Sequence, residues 1–369
     1  MIFDQGNQFL NVRNGIISEG ENSTIAYNYF DNNGQGTSCS SHCIVILNGD
    51  VTIPLDKVNV SNNTLLNVGD VGIALVNGLE ILTNISIVDN YVEGAIVGLL
   101  FEDGGCTNCV EGPENLFVSR NVFTNLTVGI RLDASDLTVG GKNYIFYDNN
   151  ISNSWNGIRL YANEGNTNTF SEMEINNNKI KVNGTGIFIS GFVNPKIIGN
   201  EITGSAKGID LAFNNNIEII SNEIIVKDQG ILLYDVDGII RNNNISGNCT
   251  SEECDKLFFT KVAEIGIFNE LSDLNIQDNK LKLFYTHIET KKSGGNNVFS
   301  NELDYGNTGL SFEDSSNQSI QNNIINNNSI SIHFLNSFGI NVQNNNISYF
   351  DKAIYSVNSS LYISTNPSF

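Results

Sequence analysis

The 369-residue sequence is poor in proline, methionine, tryptophan and positive charge. It contains 4 Pro, 2 Met and 1 Trp, and its 19 Lys and Arg stand against 40 Asp and Glu, which gives a formal net charge of −21. A surface this acidic repels nucleic-acid phosphates and anionic lipid head groups, so neither partner is expected. No apolar run approaches the length of a membrane span, and direct membrane insertion is not expected. The first residues do not resemble a signal peptide, so either an export signal has been removed or the chain is part of a longer protein.

Asparagine, by contrast, is far more abundant than in ordinary proteins, and much of it recurs at a regular interval. A small residue, almost always Gly, Ser or Ala, follows eight positions after each periodic Asn, with His287 as the exception. Apolar residues recur three positions before the Asn, and two and nine positions after it. The periodic asparagines are Asn90, Asn121, Asn149, Asn178, Asn200, Asn222, Asn279, Asn301, Asn323 and Asn345.

This repeat predicts stacked β-strands. Within each segment apolar and polar residues alternate with period two, which is strand periodicity. One coil cannot bury its own apolar face, so it must stack on copies of itself and form columns of like residues. We expect the Asn to lie at a turn, to adopt the left-handed conformation and to hydrogen-bond to the Asn of the next coil. The fold class predicted is all-β: a single right-handed parallel β-helix of about 12–14 coils of roughly 22 residues, with an Asn ladder at one corner.

The repeat also predicts the domain organisation. Residues 1–369 are expected to form one continuous domain, with loop insertions where the spacing widens, near residues 102–113, 135–142 and 247–262. Long loops on a solenoid often carry binding functions.

The repeat resembles a known group. The motif Asn-x-Ile followed by Gly-Ile-x-Leu, as in Asn149–Ile151 and Gly157–Leu160, is similar to the parallel β-helix repeats of the pectin-lyase-like superfamily. The most similar type is the Asn-rich, NosD-like carbohydrate-binding repeat. The resemblance covers residues 23–364 and implies the fold. It implies little about function, because this fold carries lyases, hydrolases, epimerases, adhesins and structural proteins.

Catalytic residues of that superfamily are not found. The resemblance implies paired carboxylates, or an Arg or Lys base beside a metal, in its polysaccharide-cleaving members, but the polygalacturonase-like and epimerase-like signatures are absent. His287 and His333 are interpreted as surface residues, at a corner and on an outward strand position. No catalytic residue and no resident metal are therefore predicted.

The best candidate for a binding site is carbohydrate-binding, on the outward side of the Gly-Ile-x-Leu strands. Arg131 and Arg159 should stack as neighbours, with Asp133 and Tyr161 just beyond them, and such a pair could hold an acidic sugar. The alternative is that Asp133 and nearby loop acids neutralise both arginines. Asp235-Val-Asp237-Gly could contribute to a calcium site, and no other cofactor is expected.

Cysteines and sequons favour an oxidising, extracellular setting. The six cysteines form local pairs, which predict three disulfides: Cys39 with Cys43, Cys106 with Cys109, and Cys249 with Cys254. Asn-x-Ser/Thr sequons, which are candidate glycosylation sites, occur at Asn22, Asn59, Asn62, Asn84, Asn125, Asn150, Asn183, Asn244, Asn248, Asn317, Asn327, Asn346 and Asn358.

Two functions are therefore open. The first is a non-catalytic structural or adhesive β-helix protein, extracellular or at the cell surface, such as a filament or sheath subunit or a glycan-binding stalk. Its partners would be surface glycans or further copies of itself, docked end to end. The alternative is a polysaccharide-active enzyme, a lyase or glycoside hydrolase, that acts beside Arg131 and Arg159.

Overall fold

The computed structural model describes most of the chain and divides it into two compact units, Met1–Lys196 and Ile197–Phe369. The described residues are 6–10, 15–19, 21–31, 42–47, 55–76, 82–102, 113–134, 141–162, 170–248 and 263–364. Over these ranges every regular element is a β-strand. No helix of the described residues is long and apolar enough to cross a membrane.

The strands of the Met1–Lys196 unit are short, and all of their pairings are parallel. They are β1 (Gln8–Leu10), β2 (Ile16–Ser18), β3 (Thr24–Ala26), β4 (Tyr29–Asp31), β5 (His42–Leu47), β6 (Leu55–Asp56), β7 (Asn59–Ser61), β8 (Thr64–Leu66), β9 (Val71–Val76), β10 (Leu82–Val88), β11 (Tyr91–Glu93), β12 (Val97–Glu102), β13 (Glu114–Ser119), β14 (Val122–Thr124), β15 (Val128–Ala134), β16 (Lys142–Tyr147), β17 (Asn150–Ser154), β18 (Asn156–Ala162), β19 (Phe170–Asn176), β20 (Lys179–Val182), β21 (Thr185–Ser190) and β22 (Phe192–Val193).

Three parallel stacks build this unit, so each coil contributes one strand to each face. One stack runs β5-β9-β12-β15-β18-β21, a second runs β7-β10-β13-β16-β19, and the third runs β4-β8-β11-β14-β17-β20. Inward residues lie directly above one another and are fully buried, as in the column Ile44, Ile73, Leu99, Ile130, Ile158 and Ile187. The predicted fold class is confirmed.

The predicted asparagine ladder is present in this unit, and it begins earlier than the sequence indicated. The backbone N–H and the Nδ2 amide of Asn121 both donate to Oδ1 of Asn149, at 3.0 Å each. The same pair of bonds joins successive members from Asn28 through Asn63 and Asn90 to Asn178. Because these asparagines are buried, the ladder satisfies polar groups that water cannot reach.

One detail of the predicted turn is wrong. The residue with positive φ is the one before the ladder Asn, for example Arg120 (φ 51) and Asp148 (φ 56). The ladder Asn is instead held by its side chain, which must reach the next coil. The left-handed position therefore falls on a neighbour that makes the turn.

The Ile197–Phe369 unit repeats the same plan with longer strands. Its strands are β23 (Lys196–Ile198), β24 (Glu201–Thr203), β25 (Lys207–Ile220), β26 (Glu223–Val226), β27 (Gln229–Arg241), β28 (Asn244–Gly247), β29 (Ala263–Glu270), β30 (Asp273–Gln277), β31 (Lys280–Lys291), β32 (Asn297–Phe299), β33 (Glu302–Glu313), β34 (Ser319–Gln321), β35 (Ile324–Leu335), β36 (Ile340–Gln343), β37 (Asn346–Val357) and β38 (Leu361–Ser364). Parallel stacks run β25-β27-β29-β31-β33-β35-β37 and β30-β32-β34-β36-β38.

This unit has two side-chain ladders. The Asn ladder runs from Asn200 to Asn345 and includes Asn243, which the sequence pattern did not single out. A serine ladder, which the sequence reasoning missed, joins the backbone N–H of one coil to the hydroxyl of the next. Its members are Ser272, Ser293, Ser315, Ser337 and Ser359.

His287 is a correction to the sequence analysis, because it is fully buried and not at the surface. Its Nε2 lies 3.0 Å from the carbonyl of Asp304 and its Nδ1 lies 3.4 Å from that of Thr308. Gly306 makes room for the ring, since a Cβ there would lie 2.3 Å from His287 Cε1. Burial lowers the pKa of His287 to about 4, although hydrogen bonds to the two backbone carbonyls and to Asn328 oppose the shift. The imidazole is therefore neutral at pH 7.

The predicted insertions lie largely outside the described residues, which omit 103–112, 135–140 and 249–262. Cys43 is buried at the start of β5 and is disulfide-bonded. The other five cysteines lie outside the described residues, so the pairing stays a prediction. The single continuous domain also stays a prediction.

Candidate functional site

The predicted arginine pair lies on the outward side of β15 and β18. Arg131 and Arg159 are register partners in the parallel pairing of these strands, as the repeat predicted. The next outward residues, Asp133 and Tyr161, are also register partners. All four predicted binding residues therefore lie on one side of two neighbouring strands in the Met1–Lys196 unit.

The two arginines have different surroundings. Arg131 Nη2 lies 2.6 Å from Asp133 Oδ2, with both side chains about one-third exposed, so the neutralisation expected as the alternative does occur there. Arg159 is exposed, and no carboxylate among the described residues pairs with it. Its guanidinium instead lies 5.9 Å from the ring centroid of Phe188 on β21, in a cation–π arrangement. Arg159 therefore keeps its charge available to a ligand, whereas Arg131 does not.

A shallow pocket of about 200 Å³ opens beside Arg159. Arg159, Phe188, Asn156 and Thr185 line it together with Ile158. Asn156 Oδ1 accepts a hydrogen bond from the backbone N–H of Thr185 at 2.9 Å, which fixes the amide in place. The lining therefore combines one cation, one aromatic ring, one amide and one hydroxyl. It contains no carboxylate or imidazole among the described residues that could serve as a general acid or base.

The residues that align with Arg131 on the two earlier strands are apolar and do not extend the site. Ala74 and Leu100 are 0 % and 8 % exposed, and they form a small cluster with Val71 and Val97. Their burial removes them from any binding surface.

The residues of the possible calcium site line a different pocket, in the Ile197–Phe369 unit. Asp235 and Asp237 lie with Asp273 and Lys292 around an open volume of about 260 Å³. Asp237 Oδ1 accepts a hydrogen bond from the backbone N–H of Asn216. Over the described residues, no three His, Cys, Asp or Glu side chains come close enough to hold a metal ion. Calcium binding by this motif stays a prediction.

The sequon asparagines are accessible. None of the thirteen is buried, and only Asn59 and Asn327 are half-buried, while the rest are exposed. None belongs to the Asn ladder. Their glycosylation stays a prediction that their exposure permits.

Comparison with known proteins agrees with the geometry. Residues 83–225 match the sequence model of the family described as periplasmic copper-binding protein (NosD). The chain is a right-handed parallel β-helix. The predicted resemblance to NosD-like repeats is confirmed over those residues, and the parallel β-helix fold that it implied is confirmed.

Solved structures show remote likeness to this β-helix. The A-module of the Azotobacter vinelandii mannuronan C-5 epimerase AlgE6 is 10% identical, with 93% of this chain and 91% of that chain covered at a TM-score of 0.45. PfbA, a surface adhesin of Streptococcus pneumoniae, is 12% identical, with 89% and 84% covered at a TM-score of 0.34. These values carry no conclusion about function. Comparison with curated protein sequences finds no match.

Proposed function

We propose that this β-helix is a non-catalytic extracellular or cell-surface protein that binds an acidic glycan on the outward side of β18 and β21. The observation that carries the proposal is Arg159. In a chain with a net charge of −21, this guanidinium is exposed, has no acidic partner among the described residues and lies against Phe188 at the rim of a pocket. A guanidinium matches the planar, bidentate geometry of a sugar carboxylate, and the aromatic ring offers an apolar surface to a sugar.

The surroundings of Arg159 favour binding over cleavage. The described lining of the pocket brings no carboxylate or imidazole, and the nearest predicted acid, Asp133, is committed to Arg131. A hydrolase or lyase needs a base or a paired acid within hydrogen-bonding reach of the bond that breaks. The net charge of −21 repels anionic ligands at long range, so binding of an acidic glycan depends on the short-range contact with the Arg159 guanidinium.

The extracellular setting rests on several agreeing features. Cys43 is disulfide-bonded, which an oxidising compartment favours, and all the sequons are accessible. The matching family is described as periplasmic.

Isothermal titration calorimetry with oligomers of galacturonic, mannuronic or glucuronic acid tests the proposal. We expect binding to at least one of them, and a loss of about tenfold or more in Arg159→Ala, because a charge-assisted bidentate contact is removed. Lys181→Ala is the matched control: Lys181 is an exposed cation on β20, which belongs to a different parallel stack from β18. Equal loss in both variants would indicate only a non-specific charge effect and would refute the proposal. Depolymerisation of these polymers, followed by product chromatography, would favour the enzyme instead.

A further inference from the structure

The side chain of Trp155, immediately before β18, is exposed where burial would be expected. It is the only tryptophan of the chain and is 60% exposed. Its backbone is nevertheless fixed on both sides, because its N–H donates to the carbonyl of Leu126 and its own carbonyl accepts from Gly184 N. The exposed indole is therefore held on an ordered backbone and not on a loose segment. An exposed large aromatic on a rigid strand offers contact area at little entropic cost.

Gly184 on the next coil brings the indole to the pocket. A Cβ added to Gly184 would lie 2.9 Å from Trp155 Nε1 and 2.8 Å from Asn156 Oδ1. Trp155 Nε1 and Asn156 Oδ1 therefore both lie against Gly184, and any residue with a Cβ at position 184 would displace the indole. Trp155 therefore lies beside Asn156, which lines the pocket together with Arg159.

The spacing along β18 defines a surface with distinct ends. Strand residues rise about 3.3 Å each, so Asn156 and Arg159 are roughly 10 Å apart along β18, and Trp155 lies one residue before Asn156. Asn156 and Thr185 lie between Trp155 and Arg159, and Tyr161 continues the surface beyond Arg159 on the same side of the strand. A ligand that lies along β18 would therefore meet the indole of Trp155 first, then the polar groups of Asn156 and Thr185, and then the Arg159 guanidinium with Tyr161 beyond it.

We infer that Trp155 is a second binding subsite, so that an acidic oligosaccharide lies along β18 with one sugar ring on the indole and a carboxylate on Arg159. The inference rests on the proposed function and specifies its ligand as an oligomer long enough to reach both residues. Across the coils toward β15 the ligand would meet Asp133, which is paired with Arg131, and then the buried Leu100.

Trp155 reports on this subsite without any substitution, because it is the only tryptophan. The experiment titrates the intact chain with galacturonic-acid oligomers of one to six residues, while tryptophan emission and calorimetric heat are both recorded. We expect the emission to shift to shorter wavelength and to saturate at the calorimetric affinity. We expect this only with oligomers of several residues, since a monomer cannot reach both ends.

Variants then separate the inference from the proposed function. Trp155→Ala should weaken binding of the long oligomers by about 3- to 10-fold while the monomer is unaffected, and Trp155→Phe should restore most of the affinity. Tyr285→Ala, at a 48% exposed tyrosine of the other unit, is the control and should change nothing. Binding that depends on Arg159 but leaves the emission and the Trp155→Ala affinity unchanged would overturn the inference and leave the function standing. An absence of calorimetric binding to any acidic oligomer would overturn both.

Discussion

Replacing one buried asparagine tests whether the ladder stabilises the stack. Asn149→Ala removes a side chain that is 1% exposed and makes four hydrogen bonds. Its Oδ1 accepts from the N–H and Nδ2 of Asn121 at 3.0 Å, and its Nδ2 donates to the carbonyl of Val118 and to Asn178 Oδ1 at 3.0 and 2.9 Å. The next residue, Asn150, is exposed, and no side-chain hydrogen bond of Asn150 is seen among the described residues. The two positions are thus a matched pair in one coil.

The expected loss of unfolding free energy follows from the buried polar groups that lose a hydrogen-bond partner. In Asn149→Ala the backbone N–H of Asn121 loses its acceptor and the carbonyl of Val118 loses a donor, and both are buried. The Nδ2 of Asn121 keeps the carbonyls of Ile87 and Ser119. Each buried group left unsatisfied costs about 1–3 kcal/mol, so the total is about 2–6 kcal/mol, whereas Asn150→Ala should stay within about 0.5 kcal/mol of the wild type.

Urea unfolding followed by circular dichroism measures the two variants, and hydrogen exchange at residues 118–121 shows where the loss falls. Because each coil of a solenoid contacts only its neighbours, the loss of exchange protection should be local. Both variants should be produced without glycosylation, since Asn150 lies in a sequon. Equal unfolding free energies for Asn149→Ala and Asn150→Ala would refute the view that the ladder is a main source of stability.

Three further predictions follow from other positions. The pKa of His287 is about 4 in the folded protein against an ordinary 6.5, so the unfolded chain protonates first as the pH falls. Between pH 6.5 and 4 the unfolding free energy of the wild type should fall by on the order of 3 kcal/mol more than that of His287→Ser. Parallel pH profiles of the urea midpoint for the two proteins would contradict this. Gly230→Ala, whose Cβ would lie 2.3 Å from a backbone carbonyl, should cost about 2 kcal/mol in urea unfolding, whereas Gly294→Ala, with its nearest contact at 3.7 Å, should cost nearly nothing. Asp133→Asn should release Arg131 and raise the calorimetric affinity for acidic oligomers a few-fold, with a stability change below about 1 kcal/mol because the ion pair is partly exposed.

The repeat made the interior predictable for a physical reason. A residue of a parallel stack lies over its own counterpart, so a column such as Ile130, Ile158 and Ile187 repeats one environment and selects one type of residue. The left-handed turn residue was misplaced, although Asp148 and Asp278 precede ladder asparagines and tolerate that conformation equally well. The burial of His287 could not be read from its own coil, because the space for the ring comes from Gly306 on the next coil.

The two arginines differ for a reason that was present in the sequence. Side chains two residues apart on a strand lie on the same side, so Arg131 shares its side with Asp133, whereas Arg159 shares its side with Tyr161. The two arginines were nevertheless predicted to be equivalent. Trp155 was missed for another reason, because it precedes β18 and lies outside the alternating pattern of that strand.

In a solenoid, a residue that differs from its counterparts on the neighbouring coils is informative about function. Neighbouring coils supply nearly the same backbone environment, so a residue that stability alone selects should resemble its counterparts above and below. The counterparts of Arg159 are Arg131, which an acid neutralises, and Phe188, which is half-buried. Arg159 gains only a cation–π contact with Phe188 from the stack, and Trp155, four residues away on the same coil, is 60% exposed. Burial and pairing therefore account for the columns, and for Arg159 and Trp155 we propose contact with a glycan instead.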